Sequence, residues 1–260
     1  MSAAILLRTP GDVIRLLDEE LVALPCGGAF WPATRTLVVA DLHFEKGSSF
    51  ARRGALMPPF DTGATLARLA ATIAATLPDR VISLGDAFHD DHGPERMADA
   101  DRERLSDLQS GREWIWIAGN HDAEARGDVG GVRVEEISIG ALTFRHEPRR
   151  GAVGEVAGHL HPAARVRVAA GTVRRHCFAG DGHRLILPAY GAYAGGLDVA
   201  SRAFDGLFEP SRLTVHLVGE GRVHRFPAPS IVGGRIIPKA EGADAPGLRT
   251  HANFSFSSEI

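Results

Sequence analysis

Three short, largely apolar runs mark the first half of the chain. They cover residues 36–40, 80–84 and 113–118, and runs of this kind are typical of strands buried on both faces of a sheet. Residues 63–77 carry apolar side chains at three- and four-residue spacing, and residues 94–109 are charged, so both predict helices between the runs. The first half therefore predicts a β-α-β-α-β order.

The remaining chain has a different pattern. Residues 11–17 predict a short helical or loop segment, residues 46–53 a helix, and residues 199–207 a further helical piece. The other segments alternate between apolar and polar residues or join at glycine-containing turns, which is typical of short strands. We expect strands at 21–24, 28–31, 132–137, 141–145, 164–169, 172–178, 184–188, 213–218 and 222–226.

Length and composition limit the possible classes of protein. The chain has 260 residues, of which 44% are hydrophobic and 23% charged, which excludes a disordered or fibrous chain. We expect a single domain over residues 1–226, followed by a Pro-, Gly- and Ser-rich tail, residues 227–260, that is poorly ordered. The longest apolar stretch, residues 69–77, is shorter than the roughly 20 residues that span a bilayer.

The N-terminal residues and the cysteines indicate the compartment. Residues 1–8 lack the basic start and long apolar core of a signal peptide. The two cysteines, Cys26 and Cys177, could form at most one disulfide, and free thiols fit a reducing environment better. We therefore expect a cytoplasmic protein with no membrane attachment.

The charge distribution is uneven although the net charge is only −3. Residues 145–184 contain eight arginines against three acidic residues, a local charge of +5 that leaves −8 for the rest of the chain. Such a block suits a polyanionic partner. It also fits the solvated face of a sheet, because residues 165–168 alternate between Arg and Val.

Short polar motifs rich in histidine follow the predicted strands and loops. Each motif alone has an ordinary structural explanation, but together they supply carboxylate, amide and imidazole ligands, which suit Mn²⁺, Fe or Zn²⁺. The absence of thiolates argues against a structural zinc site. The motifs are Asp41-Leu42-His43, Gly85-Asp86, Gly119-Asn120-His121-Asp122, Arg145-His146-Glu147 and Gly158-His159-Leu160-His161.

In this order the motifs resemble the signature of the calcineurin-like metallophosphoesterase superfamily, over roughly residues 36–162. The resemblance implies an α/β fold in which two mixed β-sheets pack face to face, flanked by helices. It also implies two divalent metal ions, with Mn²⁺ expected first and Fe or Zn²⁺ as alternatives. Such a pair lowers the pKa of bound water and so generates hydroxide near neutral pH.

The resemblance also implies a role for each matching residue. His121 would stabilise developing charge or protonate the leaving group, and Asp122 would either orient His121 or support the loop. Asp86 would bridge the two metals. The remaining ligands would be Asp41, His43 and His161 for one metal, and Asn120, His146 and His159 for the other.

The residues after Asp86 bear on the substrate. Phosphoprotein phosphatases of the superfamily usually carry Asp and Arg at the third and fourth positions after this aspartate, whereas here the third is His89, as in the nuclease subunit of double-strand-break repair complexes. A closer resemblance is to the bacterial ligase-associated DNA-damage-response endonucleases. It rests on residues 39–47, 85–90, 145–148, 158–162 and 187–198.

The latter resemblance implies a metal-dependent phosphodiesterase that acts on DNA, alongside an ATP-dependent DNA ligase and a helicase. His89, Lys46, Arg149 and Arg150 are the candidate substrate contacts, although each also fits an ordinary loop or surface position. The alternatives are a small-molecule phosphodiesterase or nucleotide pyrophosphatase with the same metals, and a non-catalytic scaffold. The scaffold is disfavoured because every ligand and His121 is present.

Overall fold

A computed structural model describes residues 11–55, 57–122, 124–125 and 127–233. In this part of the chain, a first sheet contains seven strands in chain order. The first four strands pair antiparallel, and the fourth to the seventh run parallel. They are β1 (Asp12–Leu16), β2 (Glu19–Ala23), β3 (Ala29–Trp31), β4 (Thr36–Val39), β5 (Arg80–Leu84), β6 (Glu113–Ile117) and β7 (Val132–Val134).

The second sheet contains the nine strands that follow. They are β8 (Glu136–Ile139), β9 (Leu142–Arg145), β10 (Glu155–Ala157), β11 (Pro162–Val168), β12 (Gly171–Gly180), β13 (Arg184–Ile186), β14 (Leu197–Asp198), β15 (Thr214–Val218) and β16 (Val223–Pro227). The spatial order is β14-β11-β12-β13-β10-β9-β8, with β15 paired to β12 and β16 to β15. β9, β10 and β13 run parallel, and both sheets are therefore mixed.

The two sheets pack face to face, as the resemblance implied. Alternate residues of each central strand point to opposite faces. On β4, Val38 packs in the cluster between the sheets, whereas Leu37 and Val39 face outward toward helices. The rings of Trp31 and Phe144, one from each sheet, lie 6.1 Å apart in the inter-sheet core. The sequence prediction of strands buried on both faces is confirmed here.

Helices cover the outer face of the first sheet. They are α1 (Lys46–Arg52), α2 (Asp61–Thr76), α3 (Gly93–Arg96) and α4 (Asp99–Gln109). Leu69 and Ile73 of α2 and Leu105 of α4 pack in the same cluster as the outward side chains of β4 to β6. The outer face of the second sheet is covered instead by irregular segments that include 3-10 turns at Arg202–Phe204 and Ala228–Ser230.

Several predicted elements differ from the structure. Residues 11–17 form the edge strand β1 and not a helix or loop, because Ile14 and Leu16 alternate into the inter-sheet core. The charged segment 94–109 forms two helices, α3 and α4. The predicted strand 132–137 divides into β7 and β8, which belong to different sheets. The predicted helical piece at 199–207 is reduced to the 3-10 turn at Arg202–Phe204, and strands β10 and β14 were not predicted.

The packed chain continues past residue 226, where the expected tail begins. Ala228 and Ile231 are buried, and Ile231 forms an isolated bridge with Val166 of β11. Residues 234–260 lie outside the described residues. Cys26 and Cys177 are both free thiols. No helix in the described ranges is long and apolar enough to cross a membrane.

Candidate metal centre

The histidine and carboxylate motifs lie in loops that follow parallel strands. Asp41 comes after β4, Asp86 after β5, Asn120 after β6, His146 after β9 and His159 after β10. The carboxyl ends of parallel strands meet at one edge of each sheet. Face-to-face packing then brings both edges together, and the polar loops form one cluster.

The first group of ligand atoms comprises Asp41, His43 and His161, all within 4.8 Å of one another. The Oδ1 atom of Asp41 lies 3.3 Å from Nε2 of His161, and Nε2 of His43 lies 3.2 Å from the same nitrogen. Both oxygens of Asp41 also accept hydrogen bonds from the backbone N–H of His159, at 3.2 and 3.0 Å. These hydrogen bonds fix the orientation of the Asp41 carboxylate, and its Oδ1 atom faces the His161 ring.

The second group comprises Asp86, His146 and His159, also within 4.8 Å. Nε2 of His146 lies 3.5 Å from Oδ1 of Asp86, 3.1 Å from Nδ1 of His159 and 2.9 Å from Oδ1 of Asn120. The two groups adjoin, since Nδ1 of His146 is 3.8 Å from Oδ1 of Asp41. The structure thus places all seven residues that the resemblance implied as ligands in two adjacent groups, with Asp86 and Asn120 both in the second.

The chemistry of this donor set fits divalent cations. Asp41 is fully buried and Asp86 is 2% exposed, and in the part of the chain described neither forms an ion pair with Lys or Arg. Buried carboxylates without a cationic partner are costly. His146 donates from Nδ1 to the carbonyl of Leu84 at 2.8 Å. The proton is therefore on Nδ1, and the lone pair of Nε2 is available to a metal ion. Burial lowers the pKa of His43 to about 2, so its ring is neutral, as ligation requires.

The backbone at the ligands is strained. Five of the seven adopt left-handed φ angles, which side chains other than glycine rarely adopt. Glycines flank them at close approaches: a Cβ on Gly119 would overlap the backbone nitrogen of Asp86, and one on Gly158 would lie 2.7 Å from Oδ2 of Asp41. The angles are 53° at Asp41, 45° at His43, 47° at Asp86, 66° at His159 and 44° at His161.

His121 lies beside the second group with its ring partly exposed. Its backbone N–H donates to Oδ1 of Asp86 at 2.9 Å, and its Nε2 is 4.0 Å from Oδ2 of Asp86. Its Nδ1 donates to the carbonyl oxygen of His89 at 3.1 Å. The orientation of the His121 ring is therefore set by the His89 carbonyl, and Nε2 is the nitrogen left to face a substrate.

Asp122 supports the loop instead of orienting His121. The side chain is 2% exposed. Its Oδ1 accepts the backbone N–H of Gly119 and its Oδ2 that of Phe88, each at 3.1 Å. Arg133 approaches Oδ1 at 3.6 Å. Of the two roles expected for Asp122, the structure shows the second: the carboxylate joins the loop after β6 to the loop after β5.

His89 and Lys46 lie at the edge of the cluster. The His89 ring stacks between Phe50, at 5.4 Å between centroids, and His121, at 5.3 Å. Burial, and then the charge of Lys46, lower the pKa of His89 to about 4. The Lys46 ammonium donates to the carbonyl of Tyr193 at 3.1 Å. Both predicted substrate contacts are thus close to the metal ligands.

Arg149 and Arg150 are exposed on the loop after His146. The Arg149 guanidinium pairs with Glu136 at 3.0 Å, and the Arg150 side chain lies beside Gly206. No contact joins either of them to the ligand groups within the described chain. Half of the eight arginines in the basic block form ion pairs with acidic residues, so the block is not a continuous basic surface. These four are Arg145, Arg149, Arg165 and Arg184.

Sequence reasoning missed the contacts of the loop at 190–196 with the first group. The backbone of Gly195 hydrogen-bonds to the His161 ring, and Gly191 packs so tightly that a Cβ would overlap the carbonyl of Leu42. Such outer contacts orient a ligating histidine. The glycine-rich run Gly191 to Gly196 was the available signal.

Comparisons with known proteins agree with this geometry. Residues 34–185 match the family model described as calcineurin-like phosphoesterase. No curated protein gives a significant match. Among solved structures, the chain is similar to the nuclease MPE of Pseudomonas putida, with a TM-score of 0.63 and 29% identity over 83% of this chain and 100% of that one. Members of the family use divalent metals. The chain belongs to the calcineurin-like phosphoesterase family, and it is a hydrolase of phosphoesters.

Proposed function

We propose that the protein is a dinuclear-metal-dependent phosphodiesterase that cleaves DNA, as an endonuclease in DNA repair. One observation carries the proposal: two adjacent groups of buried carboxylates and imidazoles lie beside His121, whose Nε2 is free. The similarity to a protein named as a nuclease supports nucleic acid as the substrate. We propose Mn²⁺ as the metal, since the ligands combine carboxylate, amide and imidazole donors.

The ligating residues would each have a defined task. Asp41, His43 and His161 would hold one ion, and Asn120, His146 and His159 the other, with Asp86 shared. Two such ions supply a hydroxide nucleophile at neutral pH and neutralise charge on the phosphoryl oxygens.

His121 and its neighbours would assist the leaving group. Because Nδ1 of His121 is bound to the His89 carbonyl, the protonated ring donates from Nε2 to the leaving oxygen. The stack with His89 and Phe50 restricts the rotation of the ring. General acid catalysis of this kind contributes about 10²- to 10⁴-fold.

The remaining features of the proposal concern binding and context. Lys46 and His89 would contact the phosphate next to the scissile bond, since both lie at the edge of the first ligand group. Arg149 and Arg150 would contact phosphates farther away. We propose a cytoplasmic protein that works alongside an ATP-dependent DNA ligase and a helicase.

Activity on a panel of substrates tests the proposal. The protein, supplied with Mn²⁺, would be assayed on single-stranded DNA, duplex DNA, cyclic nucleotides and a chromogenic diester. We expect Asp86→Ala to lose bound metal and all hydrolysis, because it removes the shared ligand. Asp79→Ala, a matched change at an exposed aspartate, should retain both.

Two results would contradict the proposal in different ways. Substantial activity in Asp86→Ala would rule out the dinuclear assignment. Hydrolysis of the chromogenic diester or a nucleotide by a wild-type protein that leaves every DNA intact would establish the small-molecule phosphodiesterase or pyrophosphatase instead.

A further inference from the structure

The hairpin of β11 and β12 presents a row of cationic side chains on the face opposite Ala164 and Val166. Cross-strand partners place Arg165 opposite Arg174 and Arg167 opposite Thr172. Ala164 and Val166, which alternate with the β11 arginines, point to the opposite face and are buried in the core of the second sheet. The arginines therefore point away from that core. We call Arg165, Arg167 and Arg174 the arginine face.

The charges of the arginine face are poorly compensated. Arg165 pairs with Asp198 at 3.0 Å, but Arg167 and Arg174 form no ion pair with any acidic side chain in the described ranges. Like charges directly opposite each other across two strands destabilise a sheet. Arg174 is nevertheless held in place, since its guanidinium donates to the carbonyl of Gly196 at 2.6 Å. Two fixed and opposed guanidinium groups form a site suited to an anion such as phosphate.

The arginine face is continuous with the metal centre. β11 begins at the residue after the ligand His161, and Leu197 donates to the His161 carbonyl at 2.9 Å. His176 is opposite Ala163 in the register and on the same face of β12 as Arg174, and its ring lies beside Gly196. Its Nδ1 atom is buried without a hydrogen-bond partner among the described residues.

Two more cationic side chains contact the loop at 190–196, which lies between the ligands and the arginine face. Arg68 of α2 donates to the carbonyl of Tyr190 at 2.8 Å, and Lys46 of α1 donates to that of Tyr193 at 3.1 Å. Together with Arg174 at Gly196, cations from three separate elements converge on one loop. The side of the metal centre next to His161 is therefore positively charged, whereas the chain as a whole is acidic.

We propose that the arginine face binds the phosphate backbone of a nucleic-acid strand as it leaves the metal centre on the His161 side. This inference rests on the proposed cleavage of DNA and adds where the strand runs. From Ala163 to Arg167 is four residues, or about 13 Å at 3.3 Å per residue of strand. A strand must therefore extend beyond the scissile bond to reach Arg167.

Steady-state cleavage of single-stranded oligonucleotides by the Mn²⁺-loaded protein tests the proposal. The variant is Arg167→Gln with Arg174→Gln, and the control is Arg104→Gln, at an exposed arginine of α4 on the outer side of the first sheet. Each lost contact to a single strand should reduce the slope of log kcat/KM against log salt by about 0.7. For two contacts this predicts a loss of about 25-fold at 0.1 M salt that vanishes toward 1 M.

Substrate length makes the test more specific. The effect of the double variant should disappear for oligonucleotides that end within about two nucleotides of the scissile bond, and for a chromogenic diester, because neither reaches Arg167. Unchanged turnover of the diester also shows that the variant is folded. The control should match wild type on every substrate.

The possible failures are distinguishable. If the double variant and Arg104→Gln cleave long oligonucleotides with the same rate and salt slope as wild type, the arginine face does not bind the strand, although cleavage of DNA stands. If the wild-type protein hydrolyses the diester but no DNA of any length, the proposed function fails and the strand path fails with it.

Discussion

Substitution of Asp122 tests how the loops that carry Asp86 and His121 are joined. The carboxylate accepts one backbone N–H from each loop, Gly119 and Phe88, both at 3.1 Å. Asp122→Asn keeps the size of the side chain but turns an NH₂ group toward one of the two donors. Asp122→Ala leaves both donors without an acceptor, and both are buried there because Asp122 itself is only 2% exposed.

The magnitude follows from counting the donors left without a partner. A buried donor that loses its acceptor costs about 1–3 kcal/mol, so we expect about 2 kcal/mol for Asp122→Asn and about 4 kcal/mol for Asp122→Ala. With a urea m-value of about 3 kcal/mol/M, the midpoint of unfolding should fall by about 0.7 M in Asp122→Asn. Turnover should fall as well, because Asn120 and His121 lie between Gly119 and Asp122, in the loop that this carboxylate holds in place.

Urea unfolding followed by circular dichroism is the appropriate assay, with metal content and diester hydrolysis measured on the same samples. Asp107→Asn provides a control at an exposed aspartate of α4, and it should unfold like wild type. If Asp122→Asn unfolds at the wild-type midpoint and retains full turnover, the carboxylate does not join the loops and the reasoning is refuted.

Three further predictions concern catalysis, binding and pH. His121→Gln should keep its metals and lose about 10²- to 10⁴-fold in kcat; loss of metal in elemental analysis would instead make His121 a ligand. Reversing both Arg149 and Arg150 to Glu should weaken DNA binding in a filter assay while sparing the chromogenic diester, and equal effects on both substrates would exclude a groove there. Burial raises the pKa of Asp90, but the hydrogen bonds and charge of Arg96, together with hydrogen bonds from Ser49 and the backbone of His92, lower it to about 2. Its folded pKa lies below the unfolded value of 3.8, so about 2 kcal/mol of stability should be present above pH 4 and be lost as the pH falls toward 2. Asp90→Asn should therefore unfold more readily than wild type at pH 6 and equally at pH 2, and a difference that persists at pH 2 would argue against the ion pair as its source.

The parts of the fold that the sequence predicted are those with a simple pattern. β4, β5 and β6 are apolar on both faces because one face meets the helices and the other the second sheet. β10 escaped prediction because it has only three residues and begins with Glu155, whose charge is buried against Arg184 at 2.7 Å. Edge strand β1 escaped because the apolar residues Val13 and Leu17, which are not buried, stand next to Ile14 and Leu16 and obscure their alternation.

The sequence could predict those parts of the candidate site in which a short motif directly follows a strand. Each ligand motif lies at the carboxyl end of a strand, so its place in the cluster follows from the order of the strands. Charge pairing between distant segments was not predictable in the same way. The pairing of Arg149 with Glu136, and the register that sets Arg165 against Arg174, depend on which strands become neighbours in the second sheet.

The five left-handed ligand residues have a consequence for the amount of protein in a cell. Left-handed backbone costs about 1 kcal/mol or more at each such residue, against a total stability of about 5–15 kcal/mol for a typical protein. A cation that binds only the folded chain adds stability that grows with the logarithm of its free concentration. Chain that lacks metal would thus unfold more often and be degraded sooner. Scarcity of the metal would reduce the number of enzyme molecules as well as the activity of each one, so that metal supply and protein lifetime are coupled through the backbone of the site.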